Sequence, residues 1–174
     1  MSDEMILALG QFVTSVGEAE NVMFETILAV ADEDANDVHR EFYKETFGPK
    51  VEMLATRLEH SAFDEHRTDV DHLIGMLRKL TSQRNNIIHG ETFHIIRGAE
   101  TKIFRVGFTR KNLKPWKDFD FRGNANNIFT SDQIGDAITD CIAIKTDLDL
   151  IRKKVIKKLT GYEPPYGSHT FEME

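Results

Sequence analysis

The feature that most constrains the fold of this chain is a regular series of residues between about Glu65 and His89. When apolar residues recur every three or four positions, a helix has one apolar stripe, and that stripe packs against other helices. Successive members of the series lie three, four, three, four and three residues apart: Val70, Leu73, Leu77, Leu80, Arg84 and Ile87. This series, called the seam below, predicts a long helix in a helical bundle, with one arginine in the apolar stripe.

Similar spacing predicts helices before and after the seam. The first runs from Glu4 to about Ala31, a shorter one occupies the segment VHREFYKETF, and Pro49 suits the first turn of the next. Thr130 and Gln133 have the form of a capping box that opens a final helix, which Gly161 ends. The predicted fold class is therefore mainly α, an up-down bundle of about four to five helices.

Between the seam and the final helix, the chain changes character. The segment ETFHIIRGAETKIFRVGF is rich in Ile, Phe, Val and Thr on both sides of Gly98. Alternating apolar residues around a turn glycine predict a β-hairpin, here at about 91–109. A candidate third short strand lies at 118–122. Gly90, directly after the seam helix, is expected to be its left-handed C-terminal cap.

Composition favours one soluble globular domain, since 40% of the 174 residues are hydrophobic and 29% are charged. We expect this domain to cover 1–162, with 91–129 as an insertion, and to be followed by an extended or disordered tail at 163–174. The opening apolar run is too short to cross a bilayer, and its acidic flank differs from the basic start of a signal peptide. No membrane partner and a cytoplasmic location are therefore predicted.

No metal site and no cofactor are predicted. His66 and His72 are six residues apart, which places them on different faces of a helix rather than around one ion. Cys141 is the only cysteine, so it cannot form an intramolecular disulfide, and it has no zinc-ligand spacing around it. We expect it to be a small buried hydrophobic residue.

Charge is distributed unevenly in a chain whose net charge is −7. Residues 1–76 hold 17 acidic and 5 basic residues, a net of −12, whereas residues 97–122 hold 8 basic and 3 acidic residues, a net of +5. Cations interleaved with aromatic rings suit the phosphates and bases of single-stranded RNA. Alternatively, the rings fill the core and the lysines keep a sheet edge soluble. The candidate RNA-binding residues are Arg105, Arg110, Lys111, Lys114, Trp116 and Lys117.

The seam arginine opens the motif RNNIIHG, which places Arg84, Asn85 and His89 near one helix end. Asn85 lies one turn before His89 and is expected to hold its imidazole, while the helix dipole favours the protonated ring. A proton-transferring imidazole and a fixed cation at one helix end suit phosphodiester cleavage by a 2′-hydroxyl without a metal ion. The alternative is that Arg84 forms a buried ion pair with Glu18 or Glu25.

The spacing Arg84, Asn85, three residues and His89, near the end of a long helix, resembles the signature of the HEPN superfamily. Many HEPN domains are metal-independent endoribonucleases of toxin and defence systems. The resemblance implies a helical bundle that forms a homodimer, in which the motifs of two protomers face each other in one composite site. In toxins with a nucleotidyltransferase antitoxin, a tyrosine lies two residues after the histidine. Glu91 occupies that position here, so an antitoxin or defence partner is not identified.

Two function classes follow from these observations. The first is a homodimeric, metal-independent endoribonuclease acting on single-stranded RNA, with Arg84, Asn85 and His89 as catalytic residues. A homodimer is also expected because one small bundle can hardly provide packing partners for a seam that ends in Arg84 and Ile87. The second is a non-catalytic helical interaction module, or a nucleotide-binding bundle, that uses the same seam for assembly.

Overall fold

The computed structural model describes residues 2–31, 33–60, 66–97, 100–106 and 128–161. Within these ranges the chain forms five helices and a small antiparallel sheet, which confirms the mainly α fold with a hairpin before the last long helix. The elements are α1 (Asp3–Val30), α2 (Ala35–Lys44), α3 (Phe47–His60), α4 (Arg67–Ile88), β1 (Glu91–Arg97), β2 (Glu100–Val106), β3 (Ile128–Phe129) and α5 (Ser131–Thr160).

The two longest helices, α1 and α5, run parallel. The side-chain contacts between them join residues that are 127 positions apart in each of three cases: Glu4 with Ser131, Glu18 with Lys145, and Glu25 with Arg152. A constant offset requires that both helices advance in the same direction. Part of the acidic charge of α1 is thereby neutralised by basic side chains of α5.

Helix α4 runs in the opposite direction. Asp69, near its beginning, pairs with Lys154 at 3.2 Å, while Lys79, farther along, pairs with Asp140 at 2.8 Å. Partner numbers in α5 thus fall as those in α4 rise, and the contacts between α3 and α4 show the same inversion. The carboxyl end of α4 therefore lies at the same end of the bundle as the amino ends of α1 and α5. Arg84, near that end, contacts the first residue of α3, whose first turn also bonds through Lys50 to Glu20 in the second half of α1.

The seam is covered by the chain itself. Five of its members have at most 2% of their surface exposed, namely Val70, Leu73, Leu77, Leu80 and Ile87, and Arg84 is partly buried. Helical periodicity thus predicted the packed face of α4 correctly. Because these apolar residues are satisfied within one protomer, they do not by themselves require a second copy of the chain.

The hairpin is formed by β1 and β2 in a register that pairs Glu91 with Val106 and Arg97 with Glu100. This confirms the predicted hairpin, although Gly98 lies outside the described residues. Strand β3 adds to β2 through Ile128 and leads directly into α5. The segment 118–122, predicted as a candidate strand, also lies outside the described residues.

The last helix has the predicted ends. The Thr130 hydroxyl accepts a hydrogen bond from the Gln133 amide at 3.3 Å, and the Gln133 side chain accepts one from the Thr130 amide at 3.0 Å. Gly161 ends the helix in the left-handed conformation with φ of 71°. At the end of α4 the prediction was wrong, because His89 is the capping residue and Gly90 has no positive φ.

Cys141 is fully buried on α5, as expected of a small hydrophobic residue. Burial raises the pKa of its thiol to about 12, and the neighbouring charge of Asp140 adds to the effect. Among the helices described, none combines the length and the apolar character that crossing a bilayer would require.

Candidate functional site

The motif residues lie at the end of the bundle where α4 stops and α3 begins. Arg84 extends from the last turns of α4 toward α3, and its guanidinium carbon is 5.8 Å from the centre of the Phe47 ring. Phe47 is the first residue of α3, whose first turn contains no acidic side chain. The amino end of a helix carries a partial positive charge, and Arg84 adds a full cation beside it, although the exposed Glu45 lies two residues before Phe47.

The hydrogen bonding of Arg84 is incomplete. One terminal nitrogen, Nη1, donates to Oδ1 of Asn85 at 3.2 Å. Nε is buried and has no hydrogen-bond partner within the part of the chain that the structure describes. A buried donor without an acceptor is unfavourable, and an acceptor supplied by a bound molecule would remove that cost.

The ion-pair alternative for Arg84 is not what the structure shows. Glu18 pairs with Lys145 at 2.7 Å, and Glu25 pairs with Arg152. Both carboxylates that the acidic first helix was expected to offer are thus bound by cations of α5. Arg84 instead packs on an aromatic ring, a position from which its charge is not neutralised by either glutamate.

Asn85 and His89 are both exposed, and they are connected through the backbone. The His89 amide donates to the Asn85 carbonyl at 3.2 Å, as expected where α4 ends. The Asn85 side chain accepts from Arg84, and no bond joins it to the His89 imidazole among the described residues. Asn85 therefore orients the guanidinium, whereas it was predicted to orient the imidazole.

Arg105 of β2 holds the end of α4. Its Nε donates to the Ile87 carbonyl at 2.7 Å, and its Nη2 donates to the carbonyls of Ile88, at 3.1 Å, and Gly90. Nη1 donates to the Thr92 hydroxyl at 3.1 Å. These carbonyls belong to the helix end, where no amide of the helix reaches them. Arg105 thus closes the turn that carries His89, and burial lowers the pKa of its guanidinium.

This role of Arg105 differs from the one suggested by the sequence. Arg105 was a candidate RNA contact, but its donors are directed to the chain's own carbonyls. Because α4 has no basic residue in its last turn, Arg105 also supplies the cation that a helix carboxyl end favours. The other candidates, Arg110, Lys111, Lys114, Trp116 and Lys117, lie outside the described residues.

Position 90 has room only for a glycine. A Cβ atom on Gly90 would lie 2.5 Å from the carbonyl oxygen of Asn86 and 2.8 Å from that of Val106. Both are backbone atoms, so neither can rotate away as a side chain would. The glycine allows the helix end and β2 to approach closely, which brings Arg105 within reach of the carbonyls.

No group of three histidine, cysteine, aspartate or glutamate residues in the described ranges is arranged to hold a metal ion. Sequence reasoning missed the contacts of Phe47 and Arg105, because both depend on tertiary packing. A search of protein-family models, curated proteins and solved structures finds no match to this chain.

Proposed function

We propose that this protein is a metal-independent endoribonuclease of the HEPN type. It cleaves single-stranded RNA, and its catalytic residues are Arg84, Asn85 and His89. The observation that carries the proposal is the state of Arg84: a partly buried cation, next to a helix whose first turn has no acidic residue, with one buried donor that lacks an acceptor among the described residues. A phosphate group supplies both negative charge and acceptor oxygens. The exposed His89 at the end of the same helix supplies a group that can transfer protons.

The chemistry assigns a separate role to each residue. His89 takes the proton of the ribose 2′-hydroxyl, whose oxygen then attacks the adjacent phosphorus. The bond to the 5′-oxygen breaks, and that oxygen takes up the proton that His89 removed, which leaves a 2′,3′-cyclic phosphate on one product and a 5′-hydroxyl on the other. Arg84 stabilises the negative charge that develops on the phosphoryl oxygens, and Asn85 holds the guanidinium in position.

The proposal includes a homodimer with a composite site, which rests on the resemblance of the motif. Two protomers that face each other at the end of α4 would place two arginines and two histidines around one RNA phosphate. Mixing Arg84→Ala protein with His89→Ala protein tests this part directly. If sites are composite, the mixture regains activity that neither variant has alone. The proposal also includes a cytoplasmic location, where the protein would meet its RNA substrate.

The decisive experiment incubates the purified protein with single-stranded RNA in the presence of EDTA. We expect cleavage that His89→Ala and Arg84→Ala each abolish, with a 2′,3′-cyclic phosphate on the product. His72→Ala is the matched control, because His72 is an exposed histidine of the same helix away from the motif. An oligonucleotide with deoxyribose at the scissile position should resist cleavage. Activity that requires magnesium, or that persists in both variants, would contradict this mechanism.

The basic segment has its own test. Replacing Lys111, Lys114 and Lys117 by glutamate should weaken RNA binding and reduce its dependence on salt, because fewer counterions are released on binding. Lys157→Glu with Lys158→Glu is the control, since both lysines are exposed at the far end of α5. RNA binding by the wild-type protein that does not vary with salt would contradict a role for this segment.

The second candidate function is a non-catalytic helical interaction module. The observation that favours it is the exposure of large apolar side chains on α1, including Leu7 at 62%. Absence of cleavage for every RNA tested would favour this candidate. A nucleotide-binding bundle is the variant in which Arg84 binds the phosphate of a mononucleotide, and it predicts saturable nucleotide binding that Arg84→Ala removes.

A further inference from the structure

The amino-terminal half of α1 presents an uncovered stripe of alternating large and small residues. Its members, Ile6, Gly10, Val13 and Gly17, are four, three and four residues apart, which places them on one face of the helix. Ile6 and Val13 are each 51% exposed, and Leu7 beside them is 62% exposed. These four residues are called the α1 stripe below.

The same face of α1 is covered farther along the helix. Phe24 lies seven residues after Gly17 and continues the stripe, and its ring packs against the rings of Phe42 and Tyr43 in α2, with centres 5.1 and 5.3 Å away. The face is therefore built to pack against a helix, and α2 covers only its second half. The first half, the α1 stripe, has no such cover among the described residues.

The two glycines of the stripe have no explanation within the described chain. Glycine weakens a helix interior, and it is normally retained there for a positive φ or a close neighbour. Neither Gly10 nor Gly17 has a positive φ, and a Cβ on either would meet nothing within 4 Å. Gly75 in α4 and Gly135 in α5 share this lack of neighbours, but the glycines of the stripe alternate with exposed large apolar residues, and close approach of a second helix would account for that alternation.

We propose that the α1 stripe docks on the α1 stripe of a second copy of this chain, with the two helices antiparallel. Along one α1 helix the stripe runs large, small, large, small. Along an antiparallel partner helix the same residues are met in the reverse order, so each large residue faces a small one. Ile6 therefore lies opposite the partner's Gly17, and Val13 lies opposite the partner's Gly10. Each layer of the contact then holds one large and one small residue, and the helices can approach closely without voids. A parallel arrangement would instead place isoleucine on isoleucine and glycine on glycine.

Charge also favours a second copy at this face. The chain carries a net charge of −7 and is expected to repel its own copy over much of its surface, yet residues 5–17 contain no charged side chain. Of the flanking acidic residues, Glu18 and Glu20 are neutralised by Lys145 and Lys50, Glu4 accepts a hydrogen bond from Ser131, and the exposed Asp3 falls opposite the partner's neutralised Glu20. The α1 stripe is thus a place where two copies can meet with little electrostatic opposition.

This contact is separate from the composite site proposed above. The α1 stripe lies on the side of α1 away from its buried residues, and it is the buried side that packs against α3, α4 and α5, so the contact does not bring the two motifs together. If the α1 contact is the only contact between copies, it forms a dimer with two separate motifs. If the copies also pair at the motif, the two contacts together form a larger assembly. In either case its loss should at least halve the mass of the particle, a measurement that does not depend on RNA cleavage.

The test measures mass by sedimentation over a series of concentrations from low to hundreds of micromolar. Val13→Glu should weaken association about 100-fold or more, because an unpaired charge would be buried in the contact. Ile142→Glu is the matched control, since Ile142 is 54% exposed on α5 and lies outside the stripe. Circular dichroism should show an unchanged helical fold in both variants.

A residue exchange tests the antiparallel register itself. Gly10→Val places two valines opposite each other and Val13→Gly places two glycines opposite each other, so each alone should weaken association. The double variant restores one large and one small residue in each layer and should regain most of the affinity. The proposal is overturned if the wild type is a monomer at the highest concentration. It is equally overturned if Val13→Glu acts no more strongly than Ile142→Glu, or if the exchange gives no recovery.

Discussion

Removal of the Arg105 side chain tests whether β2 holds the end of α4. In the structure this guanidinium donates to the carbonyls of Ile87, Ile88 and Gly90, none of which has an amide partner from a continuing helix. In Arg105→Ala these carbonyls lose a charged donor, and the cation that offsets the helix dipole is lost with it. The last turn of α4 should therefore fray, and His89 should lose its fixed position.

The size of the effect follows from the three carbonyl bonds. A hydrogen bond contributes about 1 kcal/mol net, somewhat more when one partner is charged, so Arg105→Ala should destabilise the fold by about 3 kcal/mol. Water can replace part of the donor at this partly exposed site, which limits the loss. For a domain of this length, such a loss lowers Tm by about 6–12 °C.

The assay compares urea unfolding of Arg105→Ala with that of Arg40→Ala. Arg40 pairs with Asp37, but its side chain is 77% exposed, so its removal should cost less than about 0.5 kcal/mol. Hydrogen exchange should show faster exchange confined to the last turn of α4 and the adjoining strands. Equal destabilisation by the two variants, or unchanged exchange at the end of α4, would refute the role assigned to Arg105.

Features set by neighbouring residues were predictable from the sequence. The capping box at Thr130 and Gln133 and the end of α5 at Gly161 depend on residues within one turn, and both are present. The seam was predictable for a related reason, because helical spacing alone determines which residues share a face. The presence of Arg84 on that face follows from the same spacing.

Contacts between distant positions were not predictable. Arg105 is 18 residues from Ile87 in sequence, and it reaches the carbonyl only because the hairpin register pairs Glu91 with Val106. Gly90 illustrates the limit well. Its position after the helix was recognised, but the reason for a glycine there is the approach of β2. That approach becomes visible only when the strand and the helix are placed together.

Charge patterning misled in the same way. The acidic first 76 residues suggested carboxylates that would be free to pair with Arg84, because composition does not show which partners a fold provides. The parallel packing of α1 and α5 assigns Glu18 to Lys145 and Glu25 to Arg152 across 127 positions. Arg84 is thereby left with an aromatic ring and an amide, which is the arrangement on which the proposed function rests.

Three further predictions concern stability and reactivity. Gly90→Ala should destabilise the fold by about 1–3 kcal/mol in urea unfolding, because the new methyl group meets two backbone oxygens; a loss below that range would show that the strand can move. Cys141 should resist thiol reagents at neutral pH until the protein unfolds, because the thiol is buried and its pKa is raised to about 12. Burial raises the pKa of Asp149, but hydrogen bonds from Lys153 and Arg152 outweigh it, and the net pKa is lowered. The folded protein therefore binds fewer protons than the unfolded chain, so this stabilisation is complete above the ordinary carboxyl range and is lost as pH falls through the lowered pKa. Asp149→Asn should accordingly flatten the loss of stability between neutral and acidic pH, and an unchanged pH dependence of unfolding would contradict the assignment.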